Sequence, residues 1–448
     1  MAKNLTEGEP SSLIWNFTLP LIAGNIFQQL YAFVDTLIVG RWLGVHALAA
    51  VGCTGCLMFL LVGFVLGTTN GLALIMGQRF GAGDEKGVRR SAATCLVSSL
   101  IFAAVLTTIS LLFIPAGLFL METPPEIYAD AKTFIMVIAA ATPVSVFFGL
   151  LVNVIRVLGD SRTATIMLAL SLGLNIAFEP LFILWLKWGV AGAALATPCG
   201  QIFSVLACLL HIRKKLSFII PHGEDWKITA RDLYEHLRLG LPMGFQMTIV
   251  ALGTIVLQIA LNRLGPVPVA SYAAATKVES IAIMPMISFG LAMAAFAAQN
   301  YGAGKLERIN QGVREAVKMS GGFSILVGIL LYTCGGFFME IFVEGESAAQ
   351  VVEYGRIFLT VNGCSYFILS LLFILRNTLQ GLGQTVVPTI AGVMELIMRS
   401  VAAFWLCDIY GYIGACWASP MAWLGSLLPL SIAYYYTCRT FVRQRELL

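Results

Sequence analysis

Asp35 is an acid in a place that penalises acids. It is the single acidic residue between Leu13 and Gly40, a stretch too apolar to be anything but a membrane span. A carboxylate at that depth costs on the order of 3 kcal/mol on insertion scales. Such residues face a protein interior or a water-filled cavity and commonly handle ions or protons; the plainer alternative is a satisfied hydrogen bond between helices. Tyr31 lies one turn earlier, within reach of Asp35, and Gln28 and Asn25 continue the polar stripe. Other charged residues also fall within apolar runs. Lys277 and Glu279 could line a permeation path or pair locally, while Glu395 and Arg399 stand four apart, a spacing that allows an intrahelical salt bridge.

Other chemistries find little support. There is no G-x-x-x-x-G-K-[ST] loop to hold a nucleotide, so ATP is not expected to drive the protein directly. The four histidines, His46, His211, His222 and His236, have no metal-ligand spacing. Cys53 and Cys56 form a C-x-x-C on a predicted membrane helix without histidine partners, so the ten cysteines read as packing thiols. An enzyme is not indicated, and a net charge of +4 is no nucleic-acid signal. No cofactor is expected.

The chain has 448 residues, of which 58% are hydrophobic and 12% charged, half the charged share of a soluble domain. Mean hydropathy is +0.85. Apolar runs of about 20 to 30 residues indicate helices rather than barrel strands. Breakers divide them into twelve spans: 13–39, 48–78, 88–118, 126–156, 162–186, 189–214, 233–262, 268–300, 309–340, 347–378, 385–407 and 412–438. The polar start, Met1 to Ser12, and the length of the first span argue against a cleavable signal peptide.

Orientation follows from Lys and Arg. One set of connections carries Arg79, Lys86, Arg89 and Arg90, then Arg156 and Arg162, then Arg213, Lys214, Lys215, Lys227 and Arg231. It continues with Lys305, Arg308, Arg314 and Lys318 and ends with Arg439, Arg443 and Arg445. The opposite set holds few cations, and Glu340, Glu344, Glu346 and Glu353 cluster there. Both termini are therefore expected in the cytoplasm, on a bacterial inner membrane.

Motifs recur at offsets of 221 to 224 residues, about half the chain. Gln78-Arg-Phe-Gly81-Ala-Gly83 is answered by Gln299-Asn-Tyr-Gly302-Ala-Gly304. Asn153 with Leu158-Gly159 is answered by Asn377 with Leu382-Gly383, and Gly192-Ala193-x-x-Ala196-Thr197-Pro198 by Gly414-Ala415-x-x-Ala418-Ser419-Pro420. Several matches in one order mark a duplication. With six spans per half, the repeats are parallel, which predicts two six-helix bundles related by a pseudo-twofold axis along the membrane normal. The predicted division is an amino lobe 1–214, a cytoplasmic linker 215–232 and a carboxy lobe 233–448. A two-lobed monomer of this kind is the usual build of an alternating-access transporter.

Over essentially its full length the chain resembles the multidrug and toxic-compound extrusion (MATE) transporters. The likeness is carried by Val34-Asp35-Thr36, Val39-Gly40, the paired Gly-Ala-Gly loops and Leu158-Gly159-Asp160. Asn175-x-x-x-Glu179-Pro180 and Ala273-Ala274-x-x-Lys277-x-Glu279 add to it. The resemblance implies a twelve-helix antiporter that expels amphipathic, often cationic compounds in exchange for Na⁺ or H⁺. It implies a coupling-ion site at Asp35, Asn175, Glu179 and Thr197, with Na⁺ possible on those four, and a hinge at Pro20. Glu179 departs from the aspartate usual at its position. The carboxy-lobe ion site of some members needs a glutamate on helix 7; beyond Glu235 at its cytoplasmic start that helix has no acid, only Gln246 and Gln258. The likeness is thus nearer to the DinF-like branch than to the NorM-like branch.

Depth supports the same four residues. At 1.5 Å per residue, Asp35 lies roughly 9 Å below Arg41, Glu179 roughly 12 Å below Lys187 and Thr197 roughly 12 Å below Gly189. Asn175 is one turn deeper on the face of Glu179. Two carboxylates meeting in a low-dielectric cavity cannot both stay ionised unless they share a cation. In the second half Asp35 aligns with Val256 or Leu257 and Glu179 with Val401 or Ala403, so the repeated architecture does not require these acids.

The expected partners are amphipathic small molecules and membrane lipid, not nucleic acid, and the expected working unit is a monomer. Substrate would bind in a central cleft or amino-lobe cavity, where Trp15, Phe147, Phe148, Met284, Met286 and Phe289 offer an adaptable apolar wall. The alternative is a flippase for lipid-linked oligosaccharide or lipid II. Such proteins hold pyrophosphate with basic residues, and the embedded cations read here are chiefly Lys277 and Arg399.

Overall fold

The computed structural model describes residues 3–121, 123–341 and 348–446, with backbone alone for 441–446. Glu344 and Glu346 lie outside the described residues, as do the side chains of Arg443 and Arg445. Among the described residues every regular element is helical. Ten helices are long and apolar enough to cross a membrane, or twelve if each of two bent pairs is one span. The predicted twelve-helix membrane fold is therefore correct, although most spans run past the predicted ends.

The chain separates by packing into two units, residues 3–4 with Ala23–Met247, and Leu5–Ile22 with Thr248–Leu448. The first unit takes most of α1 (Pro10–Trp42), then α2 (Gly44–Cys53), α3 (Gly55–Gly81), α4 (Glu85–Leu120), α5 (Pro125–Ala140), α6 (Thr142–Val157), α7 (Ser161–Pro180) and α8 (Gly189–Lys215). It also takes the first half of α9 (Ala230–Asn262). The second unit contains α10 (Pro266–Ala282), α11 (Met284–Gly302), α12 (Leu306–Glu340), α13 (Ala348–Gly381) and α14 (Val386–Val401). Two short helices, α15 (Cys407–Tyr410) and α16 (Tyr412–Cys416), lead into α17 (Ala418–Glu446).

The duplication is written into the backbone. Gly83 and Gly304 have φ of 71° and 69°, Gly159 and Gly383 of 91° and 82°, and Gly189 and Gly411 of 57° each. These left-handed positions suit glycine and stop the helices before them. A single π turn follows α7 at Leu181–Trp185 and another follows α14 at Ala402–Leu406, again 221 residues apart. The halves differ in their bends. α5 and α6 meet at 49°, whereas their counterpart α13 is continuous, and α10 and α11 meet at 44°.

In the first unit a small-residue contact sets the site. A Cβ on Gly200 of α8 would lie 2.6 Å from the Ser171 carbonyl oxygen of α7, so the two helices touch backbone to side-chain-free backbone. An apolar cluster of Ile38, Val39, Ile176, Ile183, Val190, Ala193 and Ala194 fastens α1, α7 with the turn after it, and α8 together beside it. Gly200→Val should force α7 and α8 apart and destabilise the protein by roughly 1–3 kcal/mol, the usual cost of overpacking. A melting temperature equal to wild type would show that the contact is not tight.

The linker is not a loose join. After two 3-10 turns it lies against the α3–α4 corner, where Arg89 Nε donates to Asp225 at 3.0 Å and Phe218 packs on Phe80 at 5.9 Å. At the start of α9, Arg90 reaches Asp232 at 2.6 Å, and the buried His236 shares a 2.6 Å hydrogen bond with Ser91. The backbone N–H of His222 holds the Asp225 carboxyl below its ordinary value of 3.8, with Arg89 adding to the effect against the cost of burial. A depressed folded-state value means that this contribution is complete above pH 3.8 and is lost as pH falls further. Asp225→Asn should thus flatten the acid side of the thermal-stability profile, and an unchanged acid limb would exclude a stabilising role.

Candidate functional site

Three helices bring the predicted ligands together. Asn175 and Glu179 share the buried face of α7, and Asn175 Nδ2 donates to Thr197 Oγ1 of α8 at 2.8 Å. On α1 the Tyr31 hydroxyl donates to Asp35 Oδ1 at 3.3 Å. Asp35 and Glu179 are close enough to act on each other electrostatically. The π turn begins directly after Glu179 and Pro180, a common irregularity beside functional groups.

Donors and acceptors are unequally shared. Asn175 Nδ2 donates to Thr197, and the Tyr31 hydroxyl donates to Asp35. Glu179 receives no such donor. Its residue is completely buried, and neither of its oxygens has a hydrogen-bond partner, nor does Asn175 Oδ1. Among the described residues no Lys or Arg pairs with either acid. Two neighbouring carboxylates, three orphaned oxygens on Glu179 and Asn175, and no Lys or Arg partner among the described residues make an acceptor-rich site. It suits a proton or a hard monovalent cation held by carboxylate, amide and hydroxyl oxygens. Among the described residues no three His, Cys, Asp or Glu groups converge in a metal-binding cluster.

Other predicted residues stand elsewhere. Gln28 is exposed, and no hydrogen bond ties it to this cluster. Pro20 lies within α1, in the part that packs with the second unit, and the helix continues through it. Lys277 is exposed and Glu279 partly buried on α10 of the second unit. Phe148, Met284, Met286 and Phe289 prove to be buried core residues, because their helices turn those faces inward; they cannot form the solvent-facing wall expected of them. Trp15 is half-exposed and rests on Phe289 at 6.2 Å.

Arg376 is a charged residue that the sequence reading passed over. Its Nη2 donates to Glu395 at 2.7 Å and to Ser426 at 2.8 Å, and Arg399 Nη2 reaches the other Glu395 oxygen at 3.1 Å. The predicted Glu395–Arg399 pair is therefore one arm of a buried triad. A lone cation near the end of the apolar run 366–375 was the available signal.

A sequence model of the MatE family matches residues 20–181 and again residues 242–405. The chain belongs to the MatE family. It is a multi-pass membrane transporter rather than an enzyme, and each half supplies one copy of the family's repeat. The protein is 28% identical to the probable multidrug resistance protein YoeA of Bacillus subtilis (strain 168), over 96% of this chain and 95% of that one. It is 20% identical to the multidrug export protein MepA of Staphylococcus aureus (strain MRSA252), over 97% and 95% of the two chains. This MatE fold superposes on a crystal structure of MATE in complex with MaL6 with a TM-score of 0.89, at 22% identity and covering 99% of each chain. An outward-facing multidrug resistance MATE transporter gives a TM-score of 0.86 at 22% identity, covering 98% of each.

Proposed function

We propose that this MatE protein is a Na⁺- or H⁺-coupled antiporter that exports amphipathic, often cationic compounds by alternating access. It would act as a monomer in a bacterial inner membrane with both termini in the cytoplasm. The observation that carries the coupling is Glu179, wholly buried against Asp35 with no donor to either oxygen. Such a group is stable only with a proton or a cation, so its occupancy and the conformation around it are linked. Asp35, supported by Tyr31, is the standing anion of the pair; Glu179 is the partner that gains and loses its guest. Asn175 Oδ1 and Thr197 would complete an oxygen shell for Na⁺. The names borne by YoeA and MepA support multidrug export as the cargo class.

The direct test is efflux of a lipophilic cation from everted vesicles, with Na⁺ and proton gradients imposed separately. One of the two gradients should drive transport. Transport indifferent to both, or movement of a lipid-linked saccharide instead, would overturn the antiport reading.

A further inference from the structure

We propose that the loop Leu184–Trp188, beyond the end of α7, is the docking surface for a phospholipid with an anionic headgroup, and that the docked lipid bears on Glu179 through the π turn between them. Five successive residues, Leu184, Trp185, Leu186, Lys187 and Trp188, are exposed, and Trp185 keeps 83% of its surface. Four of them are large and apolar, and they join two helices long enough to cross a membrane. Tryptophans at the ends of such helices settle at headgroup level, with the ring in the apolar zone and the N–H in the wet one. Lys187 is the one charge in the loop. Among the described residues it forms no ion pair, and it is the single non-glycine residue in the left-handed region, with φ of 54°. A conformation of that kind persists where the surroundings fix it.

The second half supplies a contrast. Its own π turn, Ala402–Leu406, leads through Cys407 to the exposed Asp408, Ile409 and Tyr410, where the charge is negative. Equivalent turns thus carry opposite charges, so the repeated backbone does not require Lys187, and only the first unit's loop complements a phosphate. The loop is also tightly joined to Glu179. The π turn Leu181–Trp185 begins two residues after that acid, and the Trp188 N–H donates to the Phe182 carbonyl at 3.0 Å. Phe182 stacks on Phe178 at 5.7 Å, with the rings 4° from parallel, and meets Trp188 at 5.2 Å. A Cβ on Gly192 would stand 3.1 Å from the Phe182 backbone, so the start of α8 leaves the turn little room. A headgroup that fixes Lys187 and Trp188 therefore restrains Phe182 and Phe178, and Phe178 is the chain neighbour of Glu179.

Full-length protein in lipid nanodiscs tests both parts. Lipids brominated in their acyl chains quench tryptophan on contact, and the share of emission lost in Trp185→Phe reports this loop. In wild type that share should be quenched severalfold more by brominated phosphatidylglycerol than by brominated phosphatidylcholine at equal mole fraction. Lys187→Gln should remove the preference while both lipids still quench, and Asp408→Asn should keep it. Equal quenching by the two lipids in wild type overturns the docking, as does a preference that survives Lys187→Gln. Loss of the preference in Asp408→Asn overturns its assignment to this loop, and loss on adding glycerol 3-phosphate would mark a site for free phosphate instead. For the link, labelling of Glu179 by dicyclohexylcarbodiimide, read by peptide mass, should differ severalfold between phosphatidylglycerol and phosphatidylcholine discs. The difference should vanish in Lys187→Gln. Equal labelling in wild type overturns the link to Glu179, as does a difference that persists in the variant.

Discussion

Glu179→Gln should abolish ion-driven efflux while leaving the protein folded. The side chain keeps its length, so α7 and α8 need not shift, but the charge that captures the guest is gone. Its new amide N–H₂ can donate to Asp35, supplying permanently what a proton or Na⁺ would supply only in one conformation. A hydrogen bond to a charged group is worth about 1.5–3 kcal/mol, so ion affinity should fall roughly 10- to 150-fold. Asp35→Asn should have a similar effect through the other carboxylate. Efflux driven by imposed gradients is the measurement, with melting temperature as the control for folding. Wild-type coupling in both variants would falsify the site. The geometry supports a distinction between the two acids: Asp35 keeps the Tyr31 donor at 3.3 Å, whereas Glu179 has none.

The largest stability effect should come from Glu395→Ala. That carboxylate lies between Arg376 and Arg399, and all three side chains are more than nine-tenths buried. Its removal strands two guanidiniums away from water, and breaking a buried pair in this way costs roughly 3–5 kcal/mol. Replacing the whole triad by Met and Leu should recover most of that loss, because desolvation of the charges disappears with them. Thermal unfolding of the single and triple variants in detergent checks both statements. A single variant that melts like wild type would mean that water reaches the arginines. If the triple variant is stable but does not transport, the triad serves function rather than folding.

The membrane class, the spans and the internal repeat were legible because each is a local property of the chain. Twenty apolar residues must cross lipid as a helix wherever they stand, and glycines such as Gly83 and Gly304 impose the same left-handed turn in both halves. Asp35 and Glu179 stood out for the same reason, since an acid in an apolar run is costly in any packing and neither has a counterpart in the repeat. Their shared depth followed from helical rise alone. Only the tertiary structure decided which acid receives a donor, because that depends on how α1, α7 and α8 meet, down to the absence of a side chain at Gly200. Arg376 likewise acquires its meaning from partners 19 and 50 residues away, Glu395 and Ser426, which no spacing rule along one helix connects. The sequence determined where buried charge would lie, and packing decided which of those charges would be left unanswered.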